Sequence, residues 1–163
     1  MEHEFIQTIN AHAGIVHSVC RLYSRELEDR KDLYQEIVLQ LWRGFSTFRG
    51  ESKASTWIYR IALNTAISLV RRRSRQIVST TADGELLATS QLIDPPPDNE
   101  PMQQFYEALE QLSPVEKAVI FLYLDDNSYE QIATVLGISV SNVGVKLNRI
   151  KAKLKKIVAE DNL

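Results

Sequence analysis

The chain has 163 residues, 44% of them hydrophobic and 25% charged, with a formal net charge of −2. That length suits one domain or two small ones, each half near the lower size at which a core sustains an independent fold. No apolar run approaches the roughly 18 residues of a membrane span. The acidic opening MEHEFIQTINAH never becomes a signal peptide, and the single cysteine excludes an internal disulfide. A cytoplasmic protein without membrane insertion is therefore expected.

Phe5, Ile9, Ile15, Val16, Val19 and Leu22 keep a helical period and predict a first helix over residues 3–25. His17 and Cys20 lie one turn apart on it. His12 is poorly spaced from His17 for one face, however, and no second ligand cluster occurs elsewhere. Cys20 is thus expected as a small buried hydrophobe, with no metal and no cofactor. Leu33, Ile37, Val38 and Leu41 mark a second helix that starts near Asp32 and fades around Gly44. FSTFRGESKAS (45–55) reads as a polar loop in which Gly50 is available for a turn. A third helix follows in TWIYRIALNTAISLVRRRSR (56–75), with Ile58, Ile61, Ala62, Thr65, Leu69 and Val70 as its apolar stripe. Trp57, flanked by isoleucine, is expected in the core, whereas Tyr59 is ambiguous.

Periodicity collapses between Arg75 and Pro101, where an Asp-Gly pair, three consecutive prolines and scattered acids spell a linker. Four helices are predicted after it, over about 102–111, 114–124, 128–136 and 140–159, and strand signals are nearly absent. Ser113-Pro114-Val115-Glu116 is a strong helix start. The fold class is all-α: two small helical domains joined by an extended acidic linker.

Charge is distributed in blocks. Residues 43–75 carry eight basic side chains against Glu51 alone, and residues 76–134 carry eleven acids against Lys117 alone. Residues 135–163 return to six lysines and arginines against Glu160 and Asp161. Two basic segments around an acidic one suggest two polyanion-facing surfaces that cancel in the total. Solvated helix faces would explain either cluster alone, but they explain the alternation less well.

Two constellations carry chemistry. On the third helix Arg60, Asn64 and Ser68 share one face, a fork donor, an amide and a hydroxyl suited to phosphates and base edges. The preceding loop adds Arg49, Glu51, Ser52, Lys53 and Ser55, polar groups able to close around an unstacked base. In the second half, SYEQIATVLGISVSNVGVKLNRIKAKLKK has the form of a helix-turn-helix. Ala133 permits a close helix crossing, Gly137 makes the turn, and Val143 packs the second helix back, with Ile132, Leu136, Ile138, Leu147 and Ile150 completing the core. Ser139, Ser141, Asn142, Lys146 and Arg149 would then face DNA, and Lys151, Lys153, Lys155 and Lys156 would face phosphates. A helical hairpin with a lysine-rich solvated tail is the plainer alternative. The chain shows no nucleophile with a base, no phosphate-binding glycine loop and no metal cluster, so an enzyme is not expected.

DLYQEIVLQLWRGFSTFRGESKASTWIYRIALNTAISLVRRRSR resembles the second conserved region of bacterial sigma-70-class sigma factors. LEQLSPVEKAVIFLYLDDNSYEQIATVLGISVSNVGVKLNRIKAKL resembles their fourth region. Nothing resembles the first and third domains, so the likeness is to the small extracytoplasmic-function (ECF) group, and it covers nearly the whole chain in the right order. The resemblance implies residues 1–75 as a region 2-like domain that docks on core polymerase and recognises and melts the −10 element. It implies 76–101 as the Pro-rich acidic linker through the polymerase's RNA path, and 102–163 as a region 4-like helix-turn-helix domain that reads the −35 element. Asp32, Gln35 and Glu36 match polymerase-docking positions, although by themselves they read as a solvated face. Arg49 to Thr56 match the loop that captures a flipped base of the melted non-template strand. Asn64 and Ser68 match readers of the adjacent duplex, with Arg71 and Arg72 meeting phosphates beyond.

Two departures stand out. Asn142-Val143-Gly144-Val145-Lys146 replaces the commoner Thr-Val-basic-Ser-Arg, and Ser68 stands where a longer polar residue is frequent. Gly144 and Val145 are carried as −35 contacts by position alone. The implied function is promoter-specific transcription initiation, with core RNA polymerase, promoter DNA and an anti-sigma factor as partners. A stand-alone helix-turn-helix regulator is the alternative.

Overall fold

The computed structural model of the chain describes residues 1–50, 52–80 and 100–161, with backbone alone at 77–80, 100–103 and 161. The chain divides into two compact units, Met1–Asp94 and Pro95–Leu163. Its elements are α1 (Glu2–Ala11), α2 (Ala13–Tyr23), α3 (Leu27–Phe45), α4 (Ala54–Thr80), α5 (Glu100–Glu110), α6 (Pro114–Leu124), α7 (Tyr129–Leu136) and α8 (Val140–Asp161). Among the described residues there is no strand, in line with the all-α expectation.

In the first unit α4 packs on both α2 and α3, which also pack on each other. Its inward face is Trp57, Ile58, Tyr59, Ala62, Leu63, Ala66 and Ile67, all buried, against Val16, Val19 and Cys20 of α2 and Leu33, Ile37 and Leu41 of α3. The small Ala62 and Ala66 let the helices approach closely. Gly44 faces α4 from the end of α3, where a Cβ would make ordinary contact with Ile61 Cδ1 at 3.4 Å and the Trp57 ring at 3.6 Å. Around this point the aromatic rings interlock. Phe48 stacks on Trp57 with centroids 4.7 Å apart, and Phe5 meets Trp42 and Phe45 edge-on at 5.0 and 5.3 Å. Trp57 is therefore a core residue, as expected, and Tyr59 joins it.

Three boundaries differ from the sequence reading. The single helix expected over 3–25 is two, broken at His12, whose φ of −123° and ψ of 20° leave the helical region. Ile9 and Val16 are two turns apart, so the apolar period runs straight through the break and hides it. Helix α3 begins at Leu27 rather than near Asp32. Glu28 and Asp29 occupy its first turn, where the helix dipole favours acids, and Arg30 donates to the Ser24 and Arg25 carbonyls at 3.3 Å. The segment expected as linker, 76–101, is helical at both ends: α4 continues to Thr80, since neither proline nor glycine interrupts it, and α5 begins at Glu100. The acidic, proline-rich middle, 81–99, lies outside the described residues.

Cys20 is 1% exposed, and burial pushes its thiol up to about 11, with Arg30 opposing. It packs as a small hydrophobe, as expected. His17 is at the surface, stacked on Tyr34 at 4.9 Å. Among the described residues no three His, Cys, Asp or Glu side chains gather to hold a metal ion. No helix there is long and apolar enough to cross a membrane.

The second unit is built from well-marked helix ends. Ser113 and Glu116 form a reciprocal capping box at α6, each backbone N–H donating 3.2 Å to the other's side chain, with Pro114 in the first turn. Ser128 and Gln131 repeat it at α7. Gly137 closes α7 with φ +68°, a left-handed conformation that favours glycine, and the chain turns directly into α8. The core comprises Ala108, Leu109 and Leu112, then Val119, Ile120 and Leu122, then Ile132, Ala133 and Val135, and finally Val143, Leu147 and Ile150 of α8. Leu136 and Ile138, expected in the core, are half-buried.

Lys153 of α8 bridges back to Glu116 at 3.0 Å. Burial opposes ionisation of Glu116, but the Lys153 ammonium and the Ser113 hydrogen bonds outweigh it and hold the carboxyl below its ordinary range. A depressed carboxyl stabilises the fold above its unfolded value, and that contribution is lost as pH falls through the folded one. Lys153 is half exposed, so the pair is worth on the order of 0.5 kcal/mol. Glu116→Gln keeps a capping-box acceptor and removes the charge. It should lower the melting temperature of the second unit by about 2–4 °C at neutral pH. The difference should close once pH falls well below 4.5, the ordinary glutamate value. A gap that persists in acid would exclude the ion pair as its source.

Candidate nucleic-acid interface

The first basic surface follows from how α4 is buried. With Ile58, Ala62 and Ala66 inward, Arg60, Asn64, Ser68, Arg71 and Arg75 fall on the opposite face, and all are exposed, as is Arg72 beside them. Arg73 points elsewhere and pairs with Asp29 of α3 at 3.3 Å. At the start of α4 the loop holds Arg49 and Lys53 exposed and Ser52 and Ser55 half-buried. Gly50 takes φ +70°, and the Lys53 carbonyl accepts the Trp57 N–H at 3.1 Å. Glu51, the remaining loop candidate, lies outside the described residues. Trp57 and Tyr59 are buried, 8% and 7% exposed. Neither ring is presented as a stacking platform, and Trp57 stacks instead on Phe48 of the loop.

The second basic surface is the outer side of α8. Ser141, Asn142, Val145 and Arg149 are exposed, and Lys146 is half-buried on the flank. The Ser139 hydroxyl oxygen accepts the Asn142 N–H at 3.1 Å, so its first task is to cap α8. Gly144 does not project outward. A Cβ there would point at the Tyr129 ring of α7, 3.7 Å away. Of the lysines beyond, Lys153 is committed to Glu116, and Lys151 sits 4.6 Å over the Tyr123 ring with its amine 3.4 Å from the hydroxyl. Lys155 and Lys156 are exposed. Asn148, exposed one turn beyond Val145 and next to Arg149, belongs on this face too. Its signal was present in the sequence, since it lies out of phase with Val143, Leu147 and Ile150.

A third surface runs along α3. Asp32 and Gln35 are exposed, and Glu36 is half-buried and accepts from Gln40 Nε2 at 2.8 Å. Leu39 and Trp42, 40% and 42% exposed, continue the same ridge. Sequence reasoning passed over both, although Leu39 lies out of phase with the inward Leu33, Ile37 and Leu41.

Comparison with known proteins assigns the two units. Residues 8–76 match the family model of Sigma-70 region 2, and residues 102–154 match that of Sigma-70, region 4. RNA polymerase sigma factor YlaC of Bacillus subtilis is 32% identical over 140 residues, 82% of this chain and 79% of that protein. The ECF RNA polymerase sigma-E factor of Escherichia coli K12 is 30% identical over 148 residues, 83% of this chain and 78% of that one. The ECF RNA polymerase sigma factor SigG of Mycobacterium tuberculosis is 30% identical over 164 residues, but the chain spans only 44% of its length. Among solved structures, the sigma factor RpoE bound to the anti-sigma factor NepR from Bartonella quintana superposes with a TM-score of 0.69 over 97% of this chain and 96% of that one. CnrH in complex with the cytosolic domain of CnrY gives 0.70 over 99% and 91%. At 21% identity those two likenesses are of fold alone. With region 2 and region 4 both matched, and relatives at 30% identity or more over most of their length, the chain belongs to the extracytoplasmic-function group of sigma-70-class sigma factors.

Proposed function

We propose that this protein binds core RNA polymerase and directs it to promoters, region 2 reading and opening the −10 element and region 4 reading the −35 element. The observation that carries the proposal is the pairing of two exposed polar and basic helix faces, one on α4 and one on α8, each in a unit of the matching sigma region. On α4, Asn64 and Ser68 lie between Arg60 and the Arg71–Arg72 pair, which puts base-reading groups within a row of phosphate-directed charge. The loop from Arg49 to Ser55 would trap a base drawn from the stack, offsetting a few kcal/mol of unpairing cost.

Each surface is small, and its affinity should fall steeply with salt. Holding both on the polymerase raises the effective concentration of the second contact once the first is made. The ridge from Asp32 to Trp42 is suited to that docking: polar groups set register, and the exposed Leu39 and Trp42 supply apolar area of the kind that dominates interface energies. The protein works by binding and leaves RNA synthesis to the polymerase, in the cytoplasm. An anti-sigma factor is proposed as a further partner, by analogy with the one bound to the Bartonella relative.

Co-migration with purified core enzyme, followed by run-off transcription, tests the reading; failure of both would overturn it. The double variant Gln35→Ala/Glu36→Ala and the single variant Leu39→Ala should each weaken core binding, the latter by about fivefold to tenfold, with helicity unchanged. Unchanged affinity in both would place docking elsewhere. Asn64→Ala should lower run-off transcription by about tenfold at saturating polymerase while core affinity holds. An equal loss of both would make Asn64 a structural residue.

A further inference from the structure

We propose that Val145 reads the 5-methyl group of a thymine in the upstream promoter element, making that thymine a specificity determinant for this protein. The inference rests on the promoter-reading role above and assigns one base to one side chain.

Val145 stands outside the core of its unit. Val143, Leu147 and Ile150 are fully buried and define the inward side of α8. Two residues past Val143 is about 200° round the helix, so Val145 stands at the outermost line of the face. It is 46% exposed. A β-branched residue there is a poorer helix former than alanine, and with nearly half its surface in solvent it gains less from burial than a valine of the core, so local stability is a weak reason for it.

Its surroundings leave it prominent. Gly144 contributes no side chain, and Ser141, one turn earlier, is short. Asn148 and Arg149, one turn later, flank it with an amide and a guanidinium. The position lies in the second turn of α8, just beyond the Ser139 cap, in the part of a helix-turn-helix that enters the major groove.

The chemistry then narrows the base. Valine can neither donate nor accept a hydrogen bond, and the thymine methyl is the apolar feature of the major-groove edge. Against cytosine or guanine the same side chain would displace water from a polar edge without replacing its hydrogen bonds, which is unfavourable. Its single preferred rotamer on a helix means little freedom is lost on contact. Valine at this place therefore selects for thymine by attraction and against cytosine and guanine by desolvation.

The test uses the full chain with core polymerase on a promoter from which it initiates. Each thymine of the upstream element, on either strand, is replaced singly by deoxyuridine, which keeps base pairing and lacks the methyl group. With the wild type, one replacement should lower initiation about fourfold, the factor that burial of a methyl supports. Val145→Ala, an exposed change to a better helix former, should initiate equally on both templates, at the wild type's deoxyuridine level. No sensitive thymine, or a sensitivity of the same size in Val145→Ala, would overturn the inference while leaving the sigma reading intact. A wild-type protein that initiates from no promoter with core enzyme would instead overturn the sigma reading, and the inference with it.

Discussion

Helix α4 has to be insoluble on one side and highly soluble on the other, and the first unit is organised around that requirement. Its inward residues from Trp57 to Ile67 are the surface on which α2 and α3 assemble, and the Phe48–Trp57 stack ties the preceding loop to the same point. Because that face is fixed by packing, the direction of Arg60, Asn64 and Ser68 is fixed as well. The polar row cannot rotate away from its orientation without unburying the core. A helix held this way presents its side chains with little conformational freedom left to lose, which favours contacts made through short groups such as an amide and a hydroxyl.

The second unit solves the same problem with shorter elements. Two capping boxes and the left-handed Gly137 set where α6, α7 and α8 begin and end. Those ends leave the inward register of α8 no choice, so Val143, Leu147 and Ile150 define what lies opposite them. The Glu116–Lys153 bridge adds a tie from α8 back to α6. One consequence is a sorting of the lysines: Lys151 and Lys153 are engaged with Tyr123 and Glu116, while Lys155 and Lys156 remain outward. Charge counted along the sequence overstated how much of this tail is turned toward an external polyanion.

Much of the architecture was legible because packing is periodic. The Ser113-Pro114 start and the Ala133, Gly137 and Val143 spacing each reflect a local requirement that the fold then meets. Of the stripe expected on α4, by contrast, only Ile58 and Ala62 are buried; Ile61, Thr65, Leu69 and Val70 are half-buried, and Leu63, Ala66 and Ile67 complete the inward face. What escaped detection was not periodic. The break at His12 preserves the phase of its apolar residues. The early start of α3 depends on Arg30 reaching carbonyls behind it, a contact without a motif. Position alone makes Gly144 a −35 contact, yet its orientation toward Tyr129 depends on how α7 crosses α8, which spacing along one helix does not reveal. The prominence of Leu39, Trp42 and Val145 had a sequence signal, apolar residues out of phase with their helix, but such residues carry meaning only once the inward face is known.

Two basic surfaces in two compact units are proposed to act as one promoter reader when polymerase holds them. Sequencing the 5′ ends of transcripts made in vitro from genomic fragments by core enzyme, with and without this protein, tests it most directly. Discrete start sites should appear only with the protein and share two sequence blocks at constant spacing. Start sites that are unchanged by the protein, or that share a single block, would contradict it.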